Sequence, residues 1–352
     1  MIRKESEPDN NTQTGKRPWR RRCAHALSIT CVGYVLFLLV FLFFVRWTGE
    51  RFWLSSLILL LPAQIWLIPL FLLLPLALLF QRRSVWVLIV GAAVVMLGYL
   101  DFRWSIERAP TSGPTLSILS NNIGQRKTRT MWPFLRAEAP DIFAHQEAPN
   151  HKPAISSENP GYYVAAHGEF LLASRFEILD SGFVPHLRAR TGPVAAWFEI
   201  DFHGTPIVIY NVHMPTPRNE VNKLRGAGFL FELARFGGIY SREARATYKQ
   251  SLEFRRQLAM DLLAHLRNEK RPFIVVGDFN MAETGYLRRL YAAELNDAFA
   301  ERGKGYGHTF PGMSRNPLTL FGPWLRIDYI FTGPGWKTLS YRTEPRQPAQ
   351  HL

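Results

Sequence analysis

Three long apolar runs fill most of the first hundred residues, and the rest of the chain alternates short apolar stretches with polar breaks. The runs are Leu27–Val45, Trp53–Phe80 and Ser84–Leu100, and none of them contains a charged side chain. A helix of about 20 apolar residues crosses the hydrocarbon layer of a bilayer. Membrane helices tolerate prolines such as those inside the second run. The pattern therefore predicts about three transmembrane helices in a membrane region at 27–103.

Basic residues around these runs predict their orientation. A basic segment at 1–26 precedes the first run, and Arg82 and Arg83 separate the second run from the third. Short positively charged segments stay in the cytoplasm, so the chain after residue 101 is predicted to be extracytoplasmic. A cleaved signal peptide would account only for the first run, and a soluble helical bundle would need a polar face that the runs lack. We interpret the chain as a multi-pass membrane protein.

From about residue 104 the pattern becomes that of a domain in water. Residues 104–114 are predicted to be a linker and 115–352 a domain of mixed strands and helices. The longest helical pattern covers Glu243 to Asn268, and shorter ones cover Trp132–Glu138 and Glu283–Tyr291. This mixture predicts an α/β or α+β fold. The predicted strands are Leu116–Ser120, Asp141–His145, Gly168–Ser174, Ala195–Asp201, Pro206–Val212, Phe273–Val276 and Arg326–Phe331.

Composition excludes several classes of protein. Hydrophobic residues make up 47% of the 352 positions, which is too many for a wholly disordered chain. The two cysteines, Cys23 and Cys31, exclude a disulfide scaffold and a cysteine-based zinc cluster. The formal net charge is +14, and basic residues are in excess in both halves of the chain. Such a charge favours phosphate-bearing partners, although an ordinary solvated basic surface explains it equally well.

Polar side chains stand where predicted strands end. Asn122 and Glu147 follow two of these strands, and Asp278 and Asn280 follow a third. Carboxylate and amide oxygens, together with water and a substrate phosphate, are the ligands that Mg²⁺ prefers, and Mn²⁺ accepts the same set. A divalent ion at this position would polarise a phosphoryl oxygen and offset charge on the leaving group. The residues therefore indicate hydrolysis of a phosphoester.

Two histidines complete this chemistry. His213 closes a predicted strand and is suited to donate a hydrogen bond to phosphate in the transition state. His351 is suited to take a proton from an attacking water, with Asp328 holding its tautomer. The sequence contains neither a G-x-S-x-G serine motif nor a G-x-x-x-x-G-K-[ST] loop.

Five motifs, in this order, resemble the endonuclease/exonuclease/phosphatase superfamily with its deoxyribonuclease-I-like fold. The resemblance covers roughly residues 115–352, and it implies a four-layered α/β/β/α sandwich with the active site at the strand ends. It also implies divalent-metal-dependent cleavage of phosphoester bonds by an activated water. The motifs are Asn122, Gln146-Glu147, Asn211-Val212-His213, Gly277-Asp278-Phe279-Asn280 and Arg326-Ile327-Asp328-Tyr329-Ile330.

The same resemblance implies a role for each site residue. Asn122 and Glu147 become metal-site residues, His213 the phosphate contact, Asp278 and Asn280 the pair that positions water and phosphate, and Asp328 the carboxylate that orients His351. One departure stands at the end of the chain, where the superfamily has Ser-Asp-His. Here the residues are Ala349-Gln350-His351, and glutamine brings no charge, so weaker metal affinity is expected.

The leading hypothesis is a membrane-anchored, metal-dependent phosphoesterase that acts on nucleic acid or a phospholipid head group and meets membrane lipid. No obligate protein partner is evident. The alternative is a weakened or inactive relative that binds a phosphate-bearing or membrane ligand. A transporter is disfavoured because charged residues, which usually mark transport pathways, are missing from the apolar runs. The apolar segment Met214–Tyr240 is interpreted as a substrate loop, an element lying on the membrane or an ordinary packed helix.

Overall fold

A computed structural model of the chain describes residues 16–106, 108–109, 113–124, 134–189, 192–225, 241–312 and 322–343. The chain divides into two compact units. The first unit contains the chain up to Phe44 and Ala63–Leu100, and the second contains Val45–Pro62 and the chain from Asp101 onwards. The apolar pattern does not predict that Val45–Pro62 joins the second unit.

Helices dominate residues 16–100, the described part of the first hundred positions, as expected. Among the described residues, two helical stretches are long and apolar enough to cross a membrane, Pro18–Arg51 and Ala63–Phe80, while the apolar helix Arg83–Tyr99 is shorter. The second predicted run therefore contributes its later part only, because its beginning folds into the second unit. The helices are α1 (Lys16–Thr48), α2 (Trp53–Ile58), α3 (Ile68–Phe80) and α4 (Arg83–Ala93), with further helical turns at Gly49–Arg51, Ala63–Leu67 and Val94–Tyr99.

The second unit mixes strands and helices along the chain. Its strands are β1 (Arg103–Trp104), β2 (Ile118–Asn122), β3 (Ile142–Gln146), β4 (Tyr163–His167), β5 (Phe170–Ser174), β6 (Ile178–Phe183), β7 (Arg188–Ala189), β8 (Gly192–Pro193), β9 (Ala195–Phe202), β10 (Thr205–His213), β11 (Phe273–Asp278), β12 (Asn296–Asp297), β13 (Lys304–Gly305) and β14 (Asp328–Thr332). After residue 101, the described part of this unit contains a short helical turn at 134–138. It also contains the helices α5 (Lys152–Glu158), α6 (Arg218–Arg225), α7 (Arg242–Arg267), α8 (Tyr286–Glu294) and α9 (Ala298–Arg302).

Two larger sheets form the centre of the second unit. In the described part of the chain, one has six strands in the order β12-β14-β11-β10-β9-β6, and the other has four in the order β2-β3-β5-β4. Strands β10 and β11 pair in parallel, as do β2 and β3, while the other neighbours in these sheets are antiparallel. Small two-stranded ribbons, β1 with β13 and β7 with β8, lie outside them.

Alternation along the strands builds the layers. In β11, Ile274 and Val276 pack between the two sheets, whereas Phe273 and Val275 face the core that holds Leu262 of α7. Side chains two apart share a face of a strand, so one strand supplies both cores. On the outer face of the four-stranded sheet a third core joins β3 and β5 to α5 and the turn at 134–138. The layers are helix, sheet, sheet and helix, as the predicted sandwich fold requires.

The strand registers bring the motifs to one edge. His213 at the end of β10 pairs with Asp278 at the end of the parallel strand β11. Asp278 also lies opposite Asp328, the first residue of β14. In the other sheet Asn122 of β2 pairs with Gln146 of β3. The Asn122 side chain contacts Asp278, so ends of strands from both sheets meet at one place.

Candidate active site

Four predicted site residues converge across the two sheets. The Asn122 amide Nδ2 donates to Glu147 Oε1 and to Asp278 Oδ2, both at 3.2 Å. His213 Nε2 lies 3.9 Å from Glu147 Oε1 and 3.8 Å from Asp278 Oδ2. Asn122 and Asp278 are buried, and Glu147 and His213 are partly exposed. The arrangement is a small polar cluster with access from solvent.

Two other motif residues hold the sheets together beneath this cluster. Asn211 is fully buried, and its Nδ2 donates to the carbonyl oxygens of His145 (3.0 Å) and Leu171 (3.1 Å) in the other sheet. Its Oδ1 accepts a bond from Gln146 Nε2 at 2.6 Å. Buried polar groups are costly unless they are paired, and here both ends of the Asn211 amide and the Nε2 of Gln146 are paired across the interface. The polar residues beside Glu147 and His213 therefore fix the distance between the two halves of the site.

His213 is held by a residue that the sequence did not single out. Its Nδ1 lies 3.1 Å from Glu169 Oε1, in the turn between β4 and β5. The Ala148 amide donates to the Glu169 carbonyl at 2.9 Å, which ties this turn to the residue after Glu147. Burial lowers the pKa of His213, but the bond to Glu169 and the charges of Asp278, Glu169 and Glu147 outweigh it and raise the pKa to about 9. A protonated imidazole is a donor at both nitrogens.

The segment after β11 is a tight turn organised by Asp278. The Asn280 amide donates to Asp278 Oδ1 at 2.9 Å, and Asn280 Nδ2 donates to the Met214 carbonyl at 2.8 Å. The Met214 amide in turn donates to the Asp278 carbonyl at 2.8 Å. Asn280 has φ +47°, a left-handed conformation that asparagine adopts more readily than most residues. Asparagine suits position 280 because it tolerates the left-handed backbone and because its side chain donates to the Met214 carbonyl.

A buried arginine supports the same turn. Arg255 of α7 donates from Nη2 to the Asn280 carbonyl at 3.2 Å. Arg255 is 8% exposed. From the sequence it is one of several polar residues on the predicted long helix, and its burial is not predicted. Neither Glu169 nor Arg255 has a spacing that links it to the motifs, because each reaches the site only when separate elements pack together.

Asp328 lies at the edge of the cluster, and its predicted partner lies outside the described residues. Asp328 is buried at the start of β14, and its amide donates to Thr309 Oγ1 at 3.3 Å. The Phe279 amide donates to the Ile327 carbonyl at 2.9 Å, which joins the two motif segments. Gln350 and His351 belong to the part of the chain that the structure leaves undescribed. Of the segment Met214–Tyr240, helix α6 is described and 226–240 is not.

Two carboxylates of the cluster are ligands of the type that a hard divalent cation prefers. Glu147 and Asp278 present carboxylate oxygens to the same amide nitrogen of Asn122. Mg²⁺ is usually bound in proteins by one or two carboxylates, with water and substrate oxygens filling the other positions. The described residues contain no group of three or more His, Cys, Asp and Glu side chains arranged for a metal. Asn122 Oδ1 accepts from the Gly124 amide at 3.1 Å, so its oxygen already has a partner.

Comparison with protein families gives a match over most of the second unit. The model described as "Endonuclease/Exonuclease/phosphatase family" matches residues 122–349. This range begins at Asn122 and contains Glu147, His213, Asp278 and Asn280. No curated protein matches the sequence significantly.

Solved structures with a related fold are distant in sequence. The Bacteroides thetaiotaomicron mannosyl-6-phosphatase Bt3783 is 21% identical with a TM-score of 0.43, and the match covers 67% of this chain and 97% of that one. The Neisseria 3′ phosphatase NExo, bound to a product DNA hairpin, is 17% identical with a TM-score of 0.43, and the match covers 62% and 87%. The human Nocturnin catalytic domain, with a bound sulfate anion, is 18% identical with a TM-score of 0.42, and the match covers 67% and 90%.

Proposed function

Because the chain belongs to the endonuclease/exonuclease/phosphatase family, we propose that it is a membrane-anchored, divalent-metal-dependent hydrolase of phosphoester bonds. The observation that carries the proposal is the convergence of Asn122, Glu147, His213 and Asp278 from both sheets. Two carboxylates, an amide and an imidazole within hydrogen-bond or ion-pair distance form a site for a phosphate and a cation. A purely structural role does not require these groups to gather at one sheet edge with Glu147 and His213 partly open to solvent.

Glu147 and Asp278 would hold the cation, with Asn122 between them. A bound Mg²⁺ or Mn²⁺ would supply positive charge to the phosphoryl oxygens and the leaving group. The crowding of two carboxylates around one amide nitrogen supports this assignment, because like charges this close are stabilised by a cation.

The remaining side chains orient the substrate. His213, held by Glu169, donates from Nε2 to a phosphate oxygen and stabilises the charge that develops there. Asp278 and Asn280 position the attacking water and the phosphate, and the bonds around Asn280 keep that turn in one conformation. Asp328 orients His351, which accepts the proton of the water.

Membrane anchoring is supported by the character of the N-terminal helices. Large apolar side chains on them are exposed, among them Val40, Phe43, Phe71, Leu79 and Trp86. A helix buried in the core of a soluble protein would cover such side chains, whereas lipid can cover them in a membrane. The basic residues in 1–26 and at Arg82 and Arg83 support an orientation in which the second unit lies outside the cytoplasm.

The substrate class is a phosphoester of nucleic acid or of a phospholipid head group. Binding of nucleic acid would weaken steeply with salt, because each neutralised phosphate releases counterions. Turnover of a lipid head group would depend on the presentation of substrate in a bilayer. These two dependences separate the alternatives in one set of assays.

The test uses the full chain purified in detergent. Plasmid DNA, bis(p-nitrophenyl) phosphate and phosphatidylglycerol vesicles are assayed with Mg²⁺ or Mn²⁺, and with EDTA. We expect EDTA to abolish turnover and Asp278→Asn to lower kcat by about 100-fold or more. Asp261→Asn, on the exposed side of α7, is the matched control and should leave kcat unchanged. Full activity of Asp278→Asn would overturn the assignment of the site.

A second candidate is a family member that binds its phosphate-bearing ligand without cleaving it. It is favoured by Gln350, which stands where a charged metal-binding residue is expected. Calorimetry separates the two candidates. Binding of Mg²⁺ and inorganic phosphate without turnover of any substrate would support the second, and turnover would exclude it.

A further inference from the structure

The segment Val45–Pro62 is built into the hydrolase unit. Trp53, Leu57 and Leu60 pack against a core formed by α6 and α7, which contains Tyr248 and Leu252. Ser56 Oγ and Tyr248 Oη lie 2.9 Å apart in a buried hydrogen bond. The segment therefore supplies part of the apolar packing of the second unit and is more than a connection between apolar helices.

Glu50 in this segment caps helix α8. Its Oε2 accepts from the Tyr286 amide at 2.6 Å and from the Leu287 amide at 3.2 Å. These are orphan donors at the helix N-terminus, and the residue before the helix, Gly285, has no side chain to satisfy them. Glu50 is only 4% exposed. A carboxylate at the positive end of a helix is in a favourable position.

Two glycines make this contact possible. A Cβ atom on Gly285 would lie 2.1 Å from Glu50 Oε1, and a Cβ atom on Gly49 would lie 2.5 Å from the Tyr286 nitrogen. Gly49 also has φ +44°, which favours glycine. The guanidinium of Arg51 stacks over the Tyr286 ring at 5.1 Å. The contact between the Gly49–Arg51 turn and the start of α8 therefore requires glycine on both of its sides, at Gly49 and at Gly285.

The cap lies close to the active-site turn. Helix α8 begins six residues after Asn280 in the sequence, and the Gly285 amide closes a turn onto the Ala282 carbonyl at 3.0 Å. Arg255, which holds the Asn280 carbonyl, interacts electrostatically with both Glu50 and Asp278. Glu50 thus caps the helix that directly follows the segment after Asn280.

A second acidic residue makes a similar connection on the other flank. Asp101 Oδ2 accepts from Arg326 Nη2 at 3.1 Å, and Arg326 Nη1 binds both carboxylate oxygens of Asp297 at 3.0 and 3.1 Å. Arg326 is fully buried and lies two residues before Asp328. Arg326 is thus shared between two buried carboxylates, and loss of the Asp101 charge would remove one of its two partners. Asp101 therefore restrains the segment that carries Asp328.

We propose that Glu50 and Asp101 are positioning residues of the hydrolase. They hold the Asp278–Asn280 turn and the Arg326–Asp328 segment, respectively, in the geometry that the site needs. Each follows an apolar run of the sequence, so the connections to the N-terminal helices form part of the catalytic architecture. The inference rests on the proposed function in so far as the positioned groups act on a phosphoester.

The test combines amide exchange with kinetics on the purified full chain. Glu50→Gln and Asp101→Asn are compared with Glu177→Gln, an exposed position on the connection before β6. We expect Glu50→Gln to accelerate hydrogen exchange at 279–288 and Asp101→Asn to accelerate it at 324–330. Both should lower kcat per folded molecule by about tenfold with KM within about twofold, because small misplacements of catalytic groups are costly. Glu177→Gln should change neither exchange nor kcat.

The outcomes distinguish this inference from the proposed function. Unchanged exchange at 279–288 in Glu50→Gln would overturn the positioning role, whatever the activity. A wild-type protein without turnover, in which exchange nevertheless changes as expected, would overturn the hydrolase proposal and leave the structural coupling in place. Glu50→Asp keeps the charge and should recover part of kcat. It also provides the exchange readout if Glu50→Gln does not yield folded protein.

Discussion

His213 depends on a neighbour that lies far from it in the sequence. Glu169 pairs with its Nδ1, which leaves Nε2 directed towards Glu147 and Asp278. A carboxylate at one imidazole nitrogen fixes the orientation of the ring and the donor at the other nitrogen. In the proposed function, Glu169 therefore keeps His213 in position for phosphate.

Glu169→Gln should lower kcat by about tenfold, since the imidazole loses its charged partner and becomes less well oriented. The measurement is steady-state kinetics with bis(p-nitrophenyl) phosphate, with circular dichroism to verify the fold. Glu177→Gln controls for the loss of a carboxylate elsewhere. A kcat equal to that of the wild type would show that His213 does not need Glu169.

Asn211 has the opposite character, because its side chain is entirely structural. It makes three buried hydrogen bonds between the two sheets. Asn211→Ala should lower the free energy of unfolding by about 3 kcal/mol, since the bonds are lost and the Gln146 amide and two carbonyls lose a partner. Urea unfolding followed by tryptophan fluorescence measures the change. Asn222→Ala, at an exposed position of α6, should have almost no effect.

Among the elements, the long helix α7 shows how a periodic pattern of apolar residues produces a face that packs on a sheet. The predicted helix from Glu243 to Asn268 matches the observed Arg242–Arg267, and Ser241 Oγ caps it by accepting from the Ala244 amide at 3.2 Å. Its apolar face covers the six-stranded sheet.

Leu262→Ala should lower the free energy of unfolding by about 2–5 kcal/mol, because removal of a fully buried side chain leaves a cavity. Leu179→Ala, at an exposed position, is the control, and equal effects at both sites would contradict the packing.

The connection from α7 to β11 contains a charge cluster with a defined pH dependence. Glu269 accepts from Tyr210 Oη at 2.8 Å and pairs with Arg271, which also pairs with Glu199 of β9. The hydrogen bond from Arg271 is the main cause that lowers the pKa of Glu269 to about 2. A depressed carboxylate pKa stabilises the fold above the ordinary value of 4.5, and this stabilisation is lost as pH falls towards 2.

Glu269→Gln should therefore lower the unfolding temperature at pH 7, and the difference from the wild type should shrink between pH 4.5 and 2. Thermal unfolding at a series of pH values measures this, with Glu177→Gln as the control. A difference that stays constant down to pH 2 would show that the charge of Glu269 does not contribute.

Among the described strands of more than two residues, β4 and β6 are the two that the sequence pattern does not predict, and both lie at sheet edges. Edge strands contact a neighbour on one side only, so fewer of their positions need to be apolar. β6 contains Asp180, Ser181 and Gly182, and its burial pattern is mixed. Helix α8 was predicted from Glu283 but begins at Tyr286. Glu283 Oε2 instead accepts from the Arg326 amide at 3.2 Å, while Glu50 caps the helix where it begins.

For the whole molecule, the second unit includes two pieces of chain separated by the residues 63–100. A fragment that begins at residue 105 lacks the packing of Trp53 and Leu57, the cap from Glu50 and the ion pair of Asp101. We expect this fragment to unfold at a lower temperature than one in which 45–62 is joined to 101–352 by a flexible Gly/Ser linker. Buried apolar area and satisfied helix donors account for the difference.

Differential scanning fluorimetry and size-exclusion chromatography of the two fragments check this expectation. A third fragment with the linker and Glu50→Gln isolates the contribution of the cap. If the fragment from 105 is as stable as the joined one, Val45–Pro62 contributes nothing to the unit.

The amino-acid sequence alone determined the apolar helices and most interior strands, and its motifs supply the candidate site residues. These properties are local, since they follow from periodicity, strand-end polar residues and short fixed spacings. Only the tertiary structure decided which side chains face one another. Glu169 meets His213, Asn211 joins two sheets, and Glu50 caps α8 across more than two hundred residues of sequence. Contacts of this kind depend on how helices and strands that are distant in the sequence pack together, and a local sequence pattern does not predict that packing.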